Sequence, residues 1–294
     1  MSKDTFQLYA LRNLWRKETK NYAMMQLQLK TQDKKIKELE EENVMLQDLM
    51  ANLPPERKKL GSLVAKLLWK ATDSPTIAES VLTGKNKLLL LFDLMLRNFR
   101  QYSDLEHLFQ QDDHELEHIV SLVGFLVNIT ELKKGAELVQ NDENGCKVIE
   151  QLIIFLQQID TVIPQTENQN SLKTILLKVL HNVSLDTTGF EILKKNFGFV
   201  DSLCKDILVP TQNQWRLLEL GLVRSLLNHF DCSVYKRIQA TLSHSKLFEL
   251  SKDSCDSELV MIVNSILDQY KDLSDYFDFD GILSSNVATV ENNK

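Results

Sequence analysis

A four-residue phrase that returns at wide intervals constrains this chain more than any other feature. It reads Leu, any residue, Asn, then an apolar or aromatic-type residue, each time inside an apolar run of helical character. It occurs as Leu96-Arg97-Asn98-Phe99, Leu126-Val127-Asn128-Ile129, Leu180-His181-Asn182-Val183 and, more loosely, Leu226-Leu227-Asn228-His229. The two middle copies agree further. Gly135 follows Thr130 by five residues and leads into Glu137-Leu138-Val139, and Gly189 follows Ser184 by five and leads into Glu191-Ile192-Leu193. The Asn positions stand 30, 54 and 46 residues apart, and their mean of about 43 falls in the armadillo and HEAT range of repeat lengths. A repeat of this size is a supersecondary unit that buries its apolar face only against its neighbours. The phrase therefore predicts an all-α solenoid of stacked helix pairs or triplets, a fold whose long surface binds something.

Composition agrees. Over 294 residues, 43% apolar content is ample for a core,, and only nine Gly and five Pro argue against a turn-rich sheet fold,. A net charge of −7 gives no basic footprint for direct nucleic-acid contact,. No run reaches the roughly 18 apolar residues of a membrane span. The opening Met1-Ser2-Lys3-Asp4 has no apolar signal region, so an intracellular chain is expected,. Cys146, Cys204, Cys232 and Cys255 have no paired spacing, which suggests neither a zinc site nor a disulfide framework,.

Residues 8–53 read as a parallel coiled coil for self-association. Leu8, Trp15, Tyr22, Leu29, Ile36, Asn43 and Met50 fall at a, and Leu11, Glu18, Met25, Gln32, Leu39, Leu46 and Leu53 at d,. Glu18 and Gln32 weaken the first half, so the tighter seam is expected through Leu29, Ile36, Leu39, Asn43, Leu46 and Met50. A buried Asn43 pairs with its counterpart in a two-stranded parallel seam and penalises other registers. Pro54-Pro55 ends this helix.

An armadillo/HEAT-like domain is expected over 56–283, with a disordered tail at 284–294. Leu60, Leu63, Val64, Leu67 and Leu68 form a stripe expected to be buried. Ser74-Pro75 reads as an N-cap with proline at the first helical position. Breaks are expected at Thr83–Asn86, Gln110–Asp113, Asn141–Gly145 and Pro164–Ser171. The later helices are expected at 172–184, 190–195, 199–208, 213–229, 233–250 and 258–273. The Asn-bearing helices form the inner row. One turn along a helix shares a face, which places Lys178 beside Asn182, Arg224 beside Asn228, and Gly124 beside Asn128 as an opening for a ligand. An amide both donates and accepts, so an Asn row suits capture of a peptide backbone; the same amides can instead bond within the solenoid. The candidate peptide-binding residues are Asn128, Lys133, Lys134, Lys178, Asn182, Arg224 and Asn228.

Other motifs carry less. His114-Glu115-Leu116-Glu117-His118 has zincin spacing, but Asp112, Asp113, Glu115 and Glu117 crowd the turn and no suitable third ligand follows. The sequons at Asn128 and Asn182 fall within expected helices and are not read as glycosylated. Asp278-Phe279-Asp280-Gly281 lacks an acidic first ligand, having Tyr276 there, and has Val287 where a bidentate Glu belongs. The acidic-aromatic run Asp275–Asp280 reads as a cap over the last helices or a docking segment. No nucleophile–base set stands out, so no catalysis, metal or cofactor is expected.

The layout resembles the heat shock factor 2-binding protein family. The resembling residues are Leu67-Leu68-Trp69, Val81-Leu82-Thr83-Gly84 with Lys87, the two middle Asn phrases with their glycines, and Leu180–Leu193 followed by Gly198-Phe199-Val200, over roughly residues 20–270. The resemblance implies a non-catalytic, self-associating adaptor of meiotic homologous recombination, in the nucleus on meiotic chromosomes and in the cytoplasm. Its armadillo part would bind peptide repeats of the breast-cancer susceptibility mediator that loads recombinase, and its coil a second meiotic partner. The family's arginine after the glycine is here Ala136, with Lys133 and Lys134 nearby. The alternative on the same architecture is a centrosomal or cytoskeletal scaffold.

Overall fold

The structure, a computed structural model, describes residues 15, 21–22, 24–32, 34–37, 55–101, 113–159, 167–209, 213–253 and 256–291, with the side chains of 55–58, 113, 167–169, 213–214, 275 and 277–291 outside that description. The chain divides into two compact units, Met1–Lys58 and Lys59–Lys294. In the first, the described residues are helical, and those with described side chains are exposed. Leu29 and Ile36 of the expected seam stand 56% and 54% exposed. Leu39, Asn43, Leu46 and Met50 lie outside the described residues.

The second unit is an all-α solenoid. Its helices are α1 Pro55–Thr72 (whose first four residues fall in the first unit), α2 Pro75–Thr83, α3 Lys85–Gln101, α4 Asp113–Glu131, α5 Lys133–Asn141, α6 Glu143–Ile159 and α7 Glu167–Ser184. They continue as α8 Thr187–Lys194, α9 Phe197–Asp206, α10 Asn213–Leu227, α11 Cys232–Thr241, α12 His244–Asp253 and α13 Ser257–Glu291. Among the described residues there is no strand. The helices fall into triplets: a short first helix (α2, α5, α8), a second (α3, α6, α9) and a longer third (α4, α7, α10). The third helices pack side by side as a spine, α4 on α7, α7 on α10 and α10 on α13, and α3, α6, α9 and α11 form a parallel outer row.

The spine forms because its helices are apolar around most of their circumference. On α4, Leu116, Ile119, Val120, Val123, Leu126 and Ile129 recur at three- and four-residue spacing and are all buried,. Phe92, Phe99, Phe125, Phe155 and Phe199 fill the space between the rows, with Phe99 and Phe155 edge to face at 5.6 Å. Aspartates start two of the short helices. Asp186 accepts from the Thr188 amide at 3.2 Å, and Asp231 from those of Ser233 and Val234 at 2.9 and 3.0 Å,. Just before Asp231, Phe230 holds a left-handed φ of 53°, and its ring meets Tyr276 edge to face at 6.1 Å. No helix of the described residues is long and apolar enough to cross a membrane.

Three details differ from the reading of the sequence. The stripe expected to be buried on α1 is exposed: Leu60, Leu63, Val64 and Leu67 stand 58%, 53%, 56% and 61% open. The opposite face, with Ser62, Ala65 and Thr72, is the buried one. The buried face is the one turned to α4, where Asn128 reaches Trp69 O and Thr72 Oγ1. The expected helix 233–250 is two helices. The chain breaks at buried Leu242, and Ser243 O accepts from Leu247 N at the start of α12. The backbone of α13 stays helical to Glu291, past Gly281 and into the segment 284–294.

Candidate functional site

The recurring Asn has a structural explanation in the spine. Asn128 Nδ2 donates to Trp69 O at 3.0 Å and to Thr72 Oγ1 at 3.2 Å, reaching from α4 to the end of α1. Asn182 Nδ2 makes the equivalent pair one repeat on, to Val127 O at 3.4 Å and Thr130 Oγ1 at 3.2 Å. The Asn-x-Thr spacing at Asn128 follows from this: the Asn gives backward, and Thr130, two residues later, receives Asn182 of the next repeat. Carbonyls near a helix end run short of intrahelical partners, and side chains of the same triplet or of the next one supply them. Buried Gln140 donates to Val183 O at 3.1 Å, and His229 Nε2 donates to Ser184 O at 2.7 Å while its ring stacks on Phe190 at 4.3 Å. The pattern changes at the third rung. Ser184 Oγ donates to Ser225 Oγ at 2.8 Å, and Asn228 Oδ1 instead accepts from Gln269 Nε2 of α13. Asn98 donates within its own helix, to Leu94 O.

The glycines after the phrase are places of close backbone approach. A Cβ at Gly135 would lie 1.9 Å from Ile129 O, and one at Gly189 2.0 Å from Val183 O. Gly124, read from the sequence as room for a ligand, is occupied from within. A Cβ there would fall 2.3 Å from the Trp69 ring, so the notch exists to seat an indole from α1.

The lysine candidates are disposed differently. Lys133 and Lys134 join Lys85 around a groove of about 620 Å³ between the α2–α3 turn and the start of α5. Leu82, Leu132 and Leu138 line it, with Glu79 on its rim. Lys133 is weakly tied to Glu137 at 3.9 Å. Ala136, which stands where the resembled family has arginine, is buried. Lys178 and Arg224 do not line this groove; they are exposed on α7 and α10. His181 lies near Arg224, and burial above all, helped by that guanidinium, holds its imidazole below the usual value.

Sequence reasoning missed a buried charged cluster. Lys173 of α7 bonds Asp206 at the end of α9, and Glu219 Oε1 of α10 lies 3.2 Å from the same ammonium. The ammonium also sits 4.5 Å from the centre of the Trp215 ring. Lys173 and Glu219 are each 1% exposed. Burial pushes the Glu219 carboxyl up to about 8 against the pull of Lys173, and the neighbouring Asp206 adds to the rise. The cluster is thereby close to neutral near pH 7. At the other end, His118 is half-buried beside Gly61 of α1, and that burial holds its imidazole below the usual value. Its companion His114 faces Glu117 at 3.8 Å, and no group of three or more potential metal-binding side chains occurs among the described residues.

Fold and site together define an all-α helical solenoid whose repeats are tied by an Asn-x-Ser/Thr ladder and which carries a lysine-rimmed apolar groove. No family model matches the chain. Heat shock factor 2-binding protein of Mus musculus is 23% identical to it over 222 residues, and the chain is a distant relative of that protein. The match covers 73% of this chain and 62% of the relative, so the chain spans under two thirds of the relative's length. The crystal structure of an engineered protein aligns at a TM-score of 0.46 and 14% identity, over 77% of this chain and 95% of that one. A likeness of that degree carries no argument.

Proposed function

We propose that this chain is a non-catalytic protein-interaction adaptor that holds a partner's peptide against the solenoid. The observation that carries the reading is the groove of Lys85, Lys133 and Lys134 over Leu82, Leu132 and Leu138. Its chemistry suits an amphipathic peptide with apolar anchors and acidic flanks, since leucines supply the burial and lysines the steering and register. Lys178 and Arg224 extend exposed positive charge along the spine beyond it. Self-association through residues 8–53 would present two such grooves to a repeated motif, and the effective concentration of the second would raise avidity without new contacts. The distant relationship to heat shock factor 2-binding protein supports the finer reading, in which the peptide belongs to the recombinase-loading mediator of meiotic homologous recombination and the adaptor works in nucleus and cytoplasm.

The test is affinity purification from germline tissue with mass spectrometry, comparing the unaltered chain with Lys133→Glu/Lys134→Glu. Recombination mediators captured by the first and lost from the second are the expected result. Identical partners from both would overturn the groove, and centrosomal or cytoskeletal proteins in place of mediators would overturn the meiotic role.

A further inference from the structure

The first spine helix presents a surface that a solenoid end does not ordinarily have. Terminal repeats keep a polar outer face so that the exposed end stays soluble. On α1 that face is Leu60, Leu63, Val64 and Leu67, four side chains on two successive turns, each more than half exposed. The surface also continues sideways. Half-buried Leu68 leads from the stripe into a groove of about 330 Å³ between α1 and the α2–α3 turn, where Ile77, Val81 and Leu91 lie in front of buried Phe125.

Charge borders this surface on both sides. Lys59, Lys66 and Lys70 fall along one edge of the stripe at helical spacing, and Lys87 stands on the groove side. Lys66 is paired at 2.5 Å with Glu117 of α4, and Ser62 also donates to that carboxylate. Lys59, Lys70 and Lys87 are exposed and form no ion pair among the described residues.

We propose that the outer face of α1, together with the groove beside it, is a second docking surface, and that its occupant is an amphipathic helix of a partner protein with carboxylates flanking an apolar stripe. Apolar residues at i, i+3, i+4 and i+7 form ridges that mesh with those of another helix, and the flanking lysines select acidic neighbours on it. A second copy of α1 is a poor occupant, because it would bring the same lysines against these. This site differs from the groove of Lys133 and Lys134 and survives if that reading fails.

The test uses the full chain and two synthetic helical peptides of about 20 residues with one leucine pattern, flanked by Glu in one and Lys in the other, with binding read by fluorescence anisotropy. The Glu peptide is expected to bind at least about tenfold more tightly than the Lys peptide. Leu63→Ser/Leu67→Ser should lose about tenfold or more with its thermal unfolding unchanged, since both side chains are exposed. Lys59→Glu/Lys70→Glu/Lys87→Glu should reverse the preference, and Lys133→Glu/Lys134→Glu should leave it alone. Equal binding of the two peptides, or an unchanged preference after charge reversal, would overturn the proposal. So would a fall in sedimentation mass of the serine variant, which would make a second copy the occupant. Capture of phosphatidylcholine–phosphatidylserine vesicles that depends on Leu63 and Leu67 would make the occupant a lipid surface instead, and would overturn it equally.

Discussion

Two junctions of the spine hold their repeats by opposite chemistry. Between α4 and α7 the polar link is neutral: Asn182 reaches Val127 O and Thr130 Oγ1, and each group has a partner that needs no charge. Between α7 and α10 the neutral Ser184–Ser225 bond is joined by a buried ionic link, with Lys173 held by Asp206 and Glu219 under Trp215. A neutral link asks only for geometry, so it can be repeated along the chain, as Asn128 shows. A buried ionic link must also balance its charge, which ties it to one place and one range of pH.

Removing the balance should have the largest effect. Lys173→Met leaves Asp206 buried without its cation and is expected to cost about 3–5 kcal/mol, read as a lowered midpoint in urea. If the loss is under about 1 kcal/mol, the cluster is hydrated and the contrast between the junctions collapses.

Titration should come next. Glu219 is raised to about 8 in the folded chain, against about 4.3 for an unperturbed Glu. The folded state thus keeps a proton that the unfolded state releases. This contribution to stability is fully present below the unfolded value and is lost as pH rises towards about 8, a change on the order of a few kcal/mol. Glu219→Gln should flatten that slope in thermal unfolding from pH 5 to 9, whereas Asn128→Ala should leave its shape unchanged.

The close approaches follow. Gly189→Ala places a Cβ against Val183 O and Gln140 Nε2 and should cost about 1–3 kcal/mol, with Gly135→Ala similar. Within the ladder, Asn182→Ala removes a half-buried donor and should cost about 1–2 kcal/mol,. Asn228→Ala, exposed at the end of the series, should stay within about 0.5 kcal/mol. If these two variants match, the ladder does not weaken at the third rung.

The sequence carried the architecture because repetition is visible in one dimension. The Asn phrase, its trailing Gly135 and Gly189 and the break at Gly84 all have structural counterparts. Long-range partners were less visible. Gly124 suggested an opening because nothing in the string joins it to Trp69, 55 residues earlier. Lys173, Asp206 and Glu219 look like ordinary surface charges until three helices converge. Gln140 gave no signal at all. The α1 stripe was visible as a stripe, but spacing reports that an apolar face exists and not whether a neighbour covers it. Lys133 and Lys134 were noticed for their proximity to Gly135, and Lys85, far away in sequence, was not.

The ladder also gives the solenoid a grammar. Asn128 and Asn182 each donate to the repeat before, and Thr130 accepts from the repeat after, so the links run head to tail with a fixed direction. A copy of the α5–α7 triplet would add a rung but would also bury one Lys173 away from Asp206 and Glu219, so the ionic junction limits how the stack can lengthen,. At Asn228 the amide turns to Gln269 and the sequence of rungs stops, which works as a full stop: growth beyond that point needs a different rule.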